Sequence, residues 1–340
     1  MKRLRVLVLM HEDCVPPEDI DTLSDAEQYD LKTEIDVVEV LNTLGHEVRV
    51  LGVREELRPI RETVDSWRPH VAFNLLEEFH GEAIFDQNVA SYLELLRIPY
   101  TGCSPRGLVL ARDKALSKKI LVYHRIRCPR FAVARRGRKV RRPQELEFPI
   151  IVKSLIEEAS RGISRASLVR DDDELIRRVQ FMHRRVGTDV ILEEFIPGRE
   201  LYVGVMGNAR LTALPVRELV LDRPVPDGEL IATERMKHDL AYQEKLGAEI
   251  VTPTSLPEGI PGELERLSKR IYRNLGLEGY ARIDYRLRSD GRVYFLEANP
   301  NPEIAREEEF ADAAEAAGIG YEELIQRILN LALRRESKRP

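Results

Sequence analysis

Cysteine is scarce in this chain: three residues in 340, at Cys14, Cys103 and Cys128, far apart and without CxxC spacing. That excludes a disulfide framework and a cysteine zinc site, and it suits a reducing compartment. No apolar run approaches bilayer-spanning length, so no membrane partner is expected. The opening "RLRVLVLM" is too short, and too soon followed by acids, for a secretory signal; a cytoplasmic location is expected. There is no excess of positive charge. The net charge of −5 argues against nucleic acid as a partner. The one basic cluster, "RRGRKVRR" (135–142), reads as a solvated hairpin with a glycine turn, or else as a partner patch. Long linkers, repeats and low-complexity segments are missing too.

What is present is ordinary globular chemistry, 43% apolar and 33% charged. The length is too great for one core and implies two or three domains. Residues 3–10 read as a buried strand, followed by a polar loop, a helix over 29–44 and the strand "EVRVLGV". A helix over 55–66, the strand "HVAFNLL" and a helix over 86–97 continue the alternation. That order predicts an α/β fold with a doubly wound parallel sheet. No GxGxxG follows the first strand, so a dinucleotide site is not expected. A second unit starts near 105, with strands "RFAVA", "KVRR", "FPIIVKSL" and "DVILEEFI" and helices at 114–125 and 171–187. A third begins near 198 with a hairpin turning at Gly207-Asn208, then helices at 262–275 and 321–334.

The stretch "RIDYRLRSDGRVYFLEANPNPEI" (282–304) carries the sharpest chemical signal. Asp290-Gly291 is a strong hairpin marker between alternating runs. With those two residues as the loop, Ser289 opposes Arg292, Asp284 opposes Glu297, Arg282 opposes Asn299 and Arg286 opposes Phe295. Two acids facing each other at roughly 5 Å between Cβ atoms repel unless compensated. Arg282 or Arg286 would make a structural ion pair. Alternatively, Asp284, Glu297 and the Asn299 amide would hold a hard divalent cation, which takes oxygen ligands and often shares them with phosphates. Elsewhere, Lys153 ends the apolar run "FPIIVK" beside a compact loop containing Ser160, a placement suited to phosphate oxygens. The segment "ILEEFIPGREL" leaves a buried strand through Glu193, Phe195 and Ile196, turns at Pro197-Gly198, and resumes at Glu200.

In combination, "HG…IPYTG", "ARDKALSKK", "FPIIVKS", "ILEEFIPGREL", "GYARIDYRL", "VYFLEAN" and "GIGYEELIQRILNLAL" resemble the ATP-grasp superfamily, and within it the D-alanine–D-alanine ligase family. The resemblance implies three domains, here 1–105, 106–197 and 198–340, with ATP grasped between the last two. It implies Lys114 and Lys153 on the phosphates, joined by Ser160 and by Lys237 (or Lys245, since that region aligns loosely). Glu193, Phe195 and Ile196 match the adenine-reading segment, and Glu200 the ribose acceptor. Asp284, Glu297 and Asn299 match ligands for Mg²⁺ (or Mn²⁺). Arg282 matches the arginine that stabilises the charged acyl intermediate, and His80 keeps the family histidine. The family also implies small-molecule amino-acid or amine substrates and a homodimer.

The departures fall at the amino-acid sites. The family's early "GG…EHEVS" loop is replaced by "HEDCVPPED", and its paired serines are Ala159-Ser160. After Asn299 the family reads roughly T-x-P-G-x-T followed by a serine; this chain reads "PNPEIAREEEF". The expected activity is therefore an ATP-dependent carboxylate–amine ligase working through an acyl phosphate. A ligase for another amino acid, peptide or amine, or a nucleotide-binding regulatory protein, are the alternatives.

Overall fold

A computed structural model describes residues 3–157, 162–222, 230, 231, 233, 235, 236 and 239–336. Three strands, β1 (Arg5–His11), β2 (Glu47–Val53) and β3 (Val71–Asn74), form a parallel sheet in the order β2-β1-β3. The apolar run of β1 is buried on both faces, as parallel strands under crossover helices must be. Val6, Val8 and Met10 meet Val37, Val40 and Leu41 of the helix Lys32–Thr43, together with Ile325, Ile328 and Leu329 of the helix Tyr321–Glu336. Leu9 points the other way, toward Ile60, Val89 and Leu93 of the helices Arg58–Trp67 and Asp86–Leu95. Each such side chain contributes about 1.5–3 kcal/mol when fully buried. The sheet is thus doubly wound, and the C-terminal helix returns to close one of its faces.

Four further strands, β4 (Phe131–Ala134), β5 (Ile150–Ser154), β6 (Leu168–Val169) and β7 (Val190–Glu194), make an antiparallel sheet in the order β4-β7-β5-β6. The helix Asp172–Arg185 lays Leu175, Val179 and Met182 on it, started by the Asp171 side chain accepting from the Glu174 N–H. The expected strand at "KVRR" does not form; β4 pairs with β7 alone. A returning strand would set this basic stretch against the arginines before it, an unfavourable pairing of like charges.

The third sheet holds β8 (Arg199–Gly207), β9 (Leu211–Ala213), β10 (Arg217–Leu221), β11 (Ala248–Val251), β12 (Tyr280–Leu287) and β13 (Val293–Pro300). Its order is β11-β10-β8-β12-β13, with β9 also on β8. The β8–β9 turn falls at Gly207-Asn208 as expected: Gly207 has φ +135°, and a Cβ there would collide with the Arg210 carbonyl.

The β12–β13 hairpin corrects one expectation and explains another. Its loop has three residues, not two: Arg288 N–H donates to the Arg292 carbonyl, and Gly291 sits at φ +80°. Near the turn the register is therefore one residue off, so Arg286 faces Tyr294 rather than Phe295. A bulge then leaves Leu296 unpaired between the Tyr285–Phe295 and Asp284–Glu297 pairs. The two irregularities cancel. Beyond the bulge Asp284 faces Glu297 and Arg282 faces Asn299, while Ile283, Tyr285 and Leu287 share the core with Val293, Phe295 and Ala298. Without the bulge Asp284 would face Leu296.

Candidate active site

One cleft lies between the four-stranded sheet and the β8–β12–β13 face, and the helix Lys114–Tyr123 floors it. That helix is capped by Asp113, whose carboxylate accepts from the Ala115 and Leu116 N–H groups. Lys114 and Lys118 are one turn apart on its buried side. The Lys114 ammonium donates to the Glu157 carbonyl at 2.7 Å and stands 3.7 Å from Glu297 Oε2. From β5, Lys153 reaches Glu193 Oε2 at 3.3 Å, and Lys118 reaches Glu193 Oε1 at 2.8 Å. Burial alone would raise the Glu193 carboxyl; the two ammoniums outweigh it and hold the group below its usual range. Burial opposes the charge on Lys153, but Glu193, Glu297 and Glu200 overcome that and raise it above the ordinary lysine value.

Above these charges is an apolar slot. Ile151, Ile163, Phe195 and Ile231 line it, with Ile196 at its margin. On the opposite wall Glu200 is held by Arg286 Nη2 at 2.7 Å and by the Tyr202 hydroxyl at 3.0 Å. Arg286 also donates to the carbonyls of Gly198 and Leu230, which fixes the strand exit beside the slot.

The facing acids do not share one cation. Arg282 takes Asp284 through both Nε and Nη2, at 2.8 and 3.0 Å, a bidentate pairing. The Asn299 amide donates to Asp284 Oδ2 at 3.0 Å, and Lys114 stands beside Glu297. Of the two arginines considered for compensation, Arg282 makes the contact; Arg286 serves Glu200 instead. The remaining Nη1 of Arg282 lies 3.2 Å from Glu309, on the helix Glu309–Ala316. Burial pushes the Glu309 carboxyl up to about 7, against the pull of Arg282.

Lys114, Lys153, Glu193, Phe195, Ile196, Glu200, Asp284 and Glu297 thus line one cleft, with Asn299 and Arg282 bonded to its acid pair. His80 is not brought there. Its side chain is 60% exposed and 3.5 Å from Glu55, on the loop after β3. Ser160 and Lys237 lie outside the described residues, and Lys245 is exposed on the helix Leu240–Leu246. Three contributors escaped the sequence reading. Lys118 carries a usable signal, since positions 114, 117, 118 and 121 form one buried helical face. The Leu296 bulge and the inward turn of Glu309 had none.

The family description "D-ala D-ala ligase C-terminus" matches residues 120–330, more than half of the chain. The chain belongs to the D-ala D-ala ligase family. A D-alanine–D-alanine ligase of Syntrophotalea carbinolica is 33% identical over 310 residues, covering 90% of this chain and 92% of its own. An uncharacterized protein, y4sG, of Sinorhizobium fredii is 31% identical over 311 residues, with 88% and 87% covered. Among solved structures, the D-alanine–D-alanine ligase of Bacillus anthracis complexed with ATP superposes with a TM-score of 0.76 at 23% identity, covering 98% and 99%. At that identity the likeness establishes the shared ATP-grasp fold. Family membership makes the protein an ATP-dependent ligase of the D-alanine–D-alanine ligase type. Among the described residues, no helix is long and apolar enough to cross a membrane.

Proposed function

We propose that the cleft binds ATP and that the chain joins an amino-acid carboxylate to an amine. The adenine enters the slot of Ile151, Ile163, Phe195 and Ile231, a flat apolar space beside an open strand end. Glu200 accepts from the ribose, and Lys114 and Lys153 neutralise the phosphates. A divalent cation fits the donor set: two carboxylates on facing positions and an amide oxygen next to them are hard ligands. Asp284, Glu297 and Asn299 would hold it, with the Asn299 amide turned to offer its oxygen. Bound there, Mg²⁺ or Mn²⁺ supplies charge neutralisation at the phosphates.

The chain's own residues then do the rest by position and charge. Lys114 and Lys153 orient the γ-phosphate for attack by the substrate carboxylate, giving an acyl phosphate as the bond to the β,γ-bridging oxygen breaks and ADP leaves. An amine adds to that acyl group, and phosphate leaves. Arg282, held by Asp284 and Glu309, presents its guanidinium to the oxyanion that develops in that step. A binding protein that had lost catalysis would need this arginine only as the counter-ion of Asp284 and Glu309.

The observation that carries this reading is the register: the Leu296 bulge puts Glu297 opposite Asp284, within reach of Lys114 and beside Lys153. The experiment is ADP release screened across pairs of amino acids and amines, D-alanine included, with and without Mg²⁺. Metal-dependent ADP release with at least one pair is expected. Metal-independent turnover, or none with any pair despite tight ATP binding, would sink the assignment.

A further inference from the structure

The helix Lys114–Tyr123 carries Lys114 and Lys118 one turn apart, and only Lys114 lines the cleft. Lys118 is fully buried. Its ammonium sits 2.8 Å from Glu193 Oε1, donates to the Leu296 carbonyl, and stands 5.4 Å from the centre of the Phe295 ring. These partners come from different sheets: Glu193 from β7, Leu296 and Phe295 from β13. A sealed ammonium is expensive to desolvate, and a methionine would fill similar space without that cost.

Two consequences follow from the geometry. Glu193 is shared by two ammoniums, so Lys153 does not have this carboxylate to itself, although Glu297 and Glu200 also face it. Lys118 is shut beneath the floor, whereas Lys153 lines the cleft. With Lys118 absent, Lys153 would be the sole ammonium on Glu193 and would be held more firmly to it, away from an incoming phosphate. The second consequence concerns Leu296. It is the unpaired bulge residue, and its carbonyl is the group Lys118 holds. The bulge sets Glu297 opposite Asp284.

We infer that Lys118 is a positioning residue for the ligase reaction: it neutralises Glu193 so that Lys153 is free for the ATP phosphates, and it pins the bulge that sets the acid pair. The inference rests on the ATP reading of the cleft. It separates into an electrostatic part that acts on nucleotide affinity and a geometric part that acts on turnover.

The test uses the full chain as Lys118→Met and as Lys118→Arg. ATP affinity is measured by calorimetry, and kcat from ADP release with the best substrate pair. Lys118→Met should weaken ATP binding at least tenfold and lower kcat at least tenfold. Lys118→Arg, which keeps the charge beside Glu193, should stay within about threefold of the unsubstituted affinity, while its kcat stays at least tenfold low because the larger head group cannot hold the bulge in the same place. A merely structural lysine would give no such split. Equal affinity losses in both variants, or unsubstituted affinity in Lys118→Met, would overturn the assignment. Should Lys118→Met fail to fold, Lys118→Arg decides: near-normal affinity with depressed kcat is expected, and full kcat or a tenfold affinity loss overturns. Failure of the unsubstituted chain to bind ATP would instead overturn the nucleotide reading on which this one stands.

Discussion

The two ends of the cleft are built on opposite principles. At the nucleotide end, three lysines, Lys114, Lys118 and Lys153, converge on Glu193 and Glu297, so each of these two acids is met by at least one ammonium. At the far end one guanidinium, Arg282, is divided between Asp284 and Glu309, and Glu303, Glu307 and Glu308 lie a few residues away. Burial, with Glu303, raises the Glu308 carboxyl above its usual value. Lys32 lies 3.5 Å from Glu307, and Arg217 acts on Glu309 from β10. The first end suits a polyanion. The second repels one. A second substrate that differs in charge from the family's usual amino acid would suit both ends.

The sharpest way to break this comparison is at the joint between the ends. Glu297→Gln removes one of the two facing charges while keeping the shape of the side chain. We expect at least a hundredfold loss in kcat for ADP release with the melting temperature nearly unchanged. Turnover within a few-fold of the unsubstituted protein would reduce the acid pair to a structural feature.

Lys153→Ala tests the cationic end. Two unit charges 4 Å apart interact by about 4 kcal/mol at an effective dielectric of 20. Glu193 already offsets part of this charge, so we expect a rise in ATP KM of about tenfold or more. An unchanged KM would return Lys153 to a structural partner of Glu193. Glu200→Gln should be milder, because a ribose hydroxyl bond is worth about 1 kcal/mol net. A rise of about fivefold in ATP KM is expected, together with lower stability, since Arg286 loses its ion-pair partner.

The difference between the ends also explains what could be read from the sequence. Asp284 opposite Glu297 was legible, because strand alternation and a turn marker set a register. Even so, the match arose from two irregularities that cancel, a longer loop and the Leu296 bulge. A bulge is decided by packing between sheets and by the Lys118 contact, neither of which is local in sequence. Phe195 and Ile196 were legible as the exit of an apolar strand into a Pro-Gly turn. Lys118 reads like any surface lysine unless its helical phase is compared with Ala115 and Leu121, both buried. In the sequence Glu309 is the last of three consecutive acids, with nothing local to set it apart. In the structure the run divides: Glu307 is exposed, at φ +64°, whereas Glu309 is buried against Arg282. Which acid turns inward depends on an arginine 27 positions earlier in the chain, and periodicity cannot report that.

The smallest expected effect concerns the acidic end. The segment after Asn299 leaves β13 beside the acid pair, so it borders the place where the second substrate must approach Arg282. An amino acid arriving there brings a carboxylate. Arg282, the guanidinium at this end, is already paired with Asp284 and Glu309, and Glu308 is half-buried nearby. A carboxylate entering this surrounding meets repulsion, since Arg282, Arg217 and Lys32 already serve the acids there. An amine whose carboxylate is masked does not. With D-alanine and D-alaninamide as competing acceptors, we expect the amide to be favoured by about threefold to tenfold in kcat/KM. Glu308→Ser, which removes one acid and leaves a small hydroxyl, should narrow that preference by raising the D-alanine rate. Screening by solvent and salt keeps the effect modest, so the comparison should be run at low ionic strength and repeated at high salt, where the preference should shrink. A preference for free D-alanine that survives both conditions would show that the two ends do not differ in the way their charges imply, and would return the second site to the ordinary chemistry of the family.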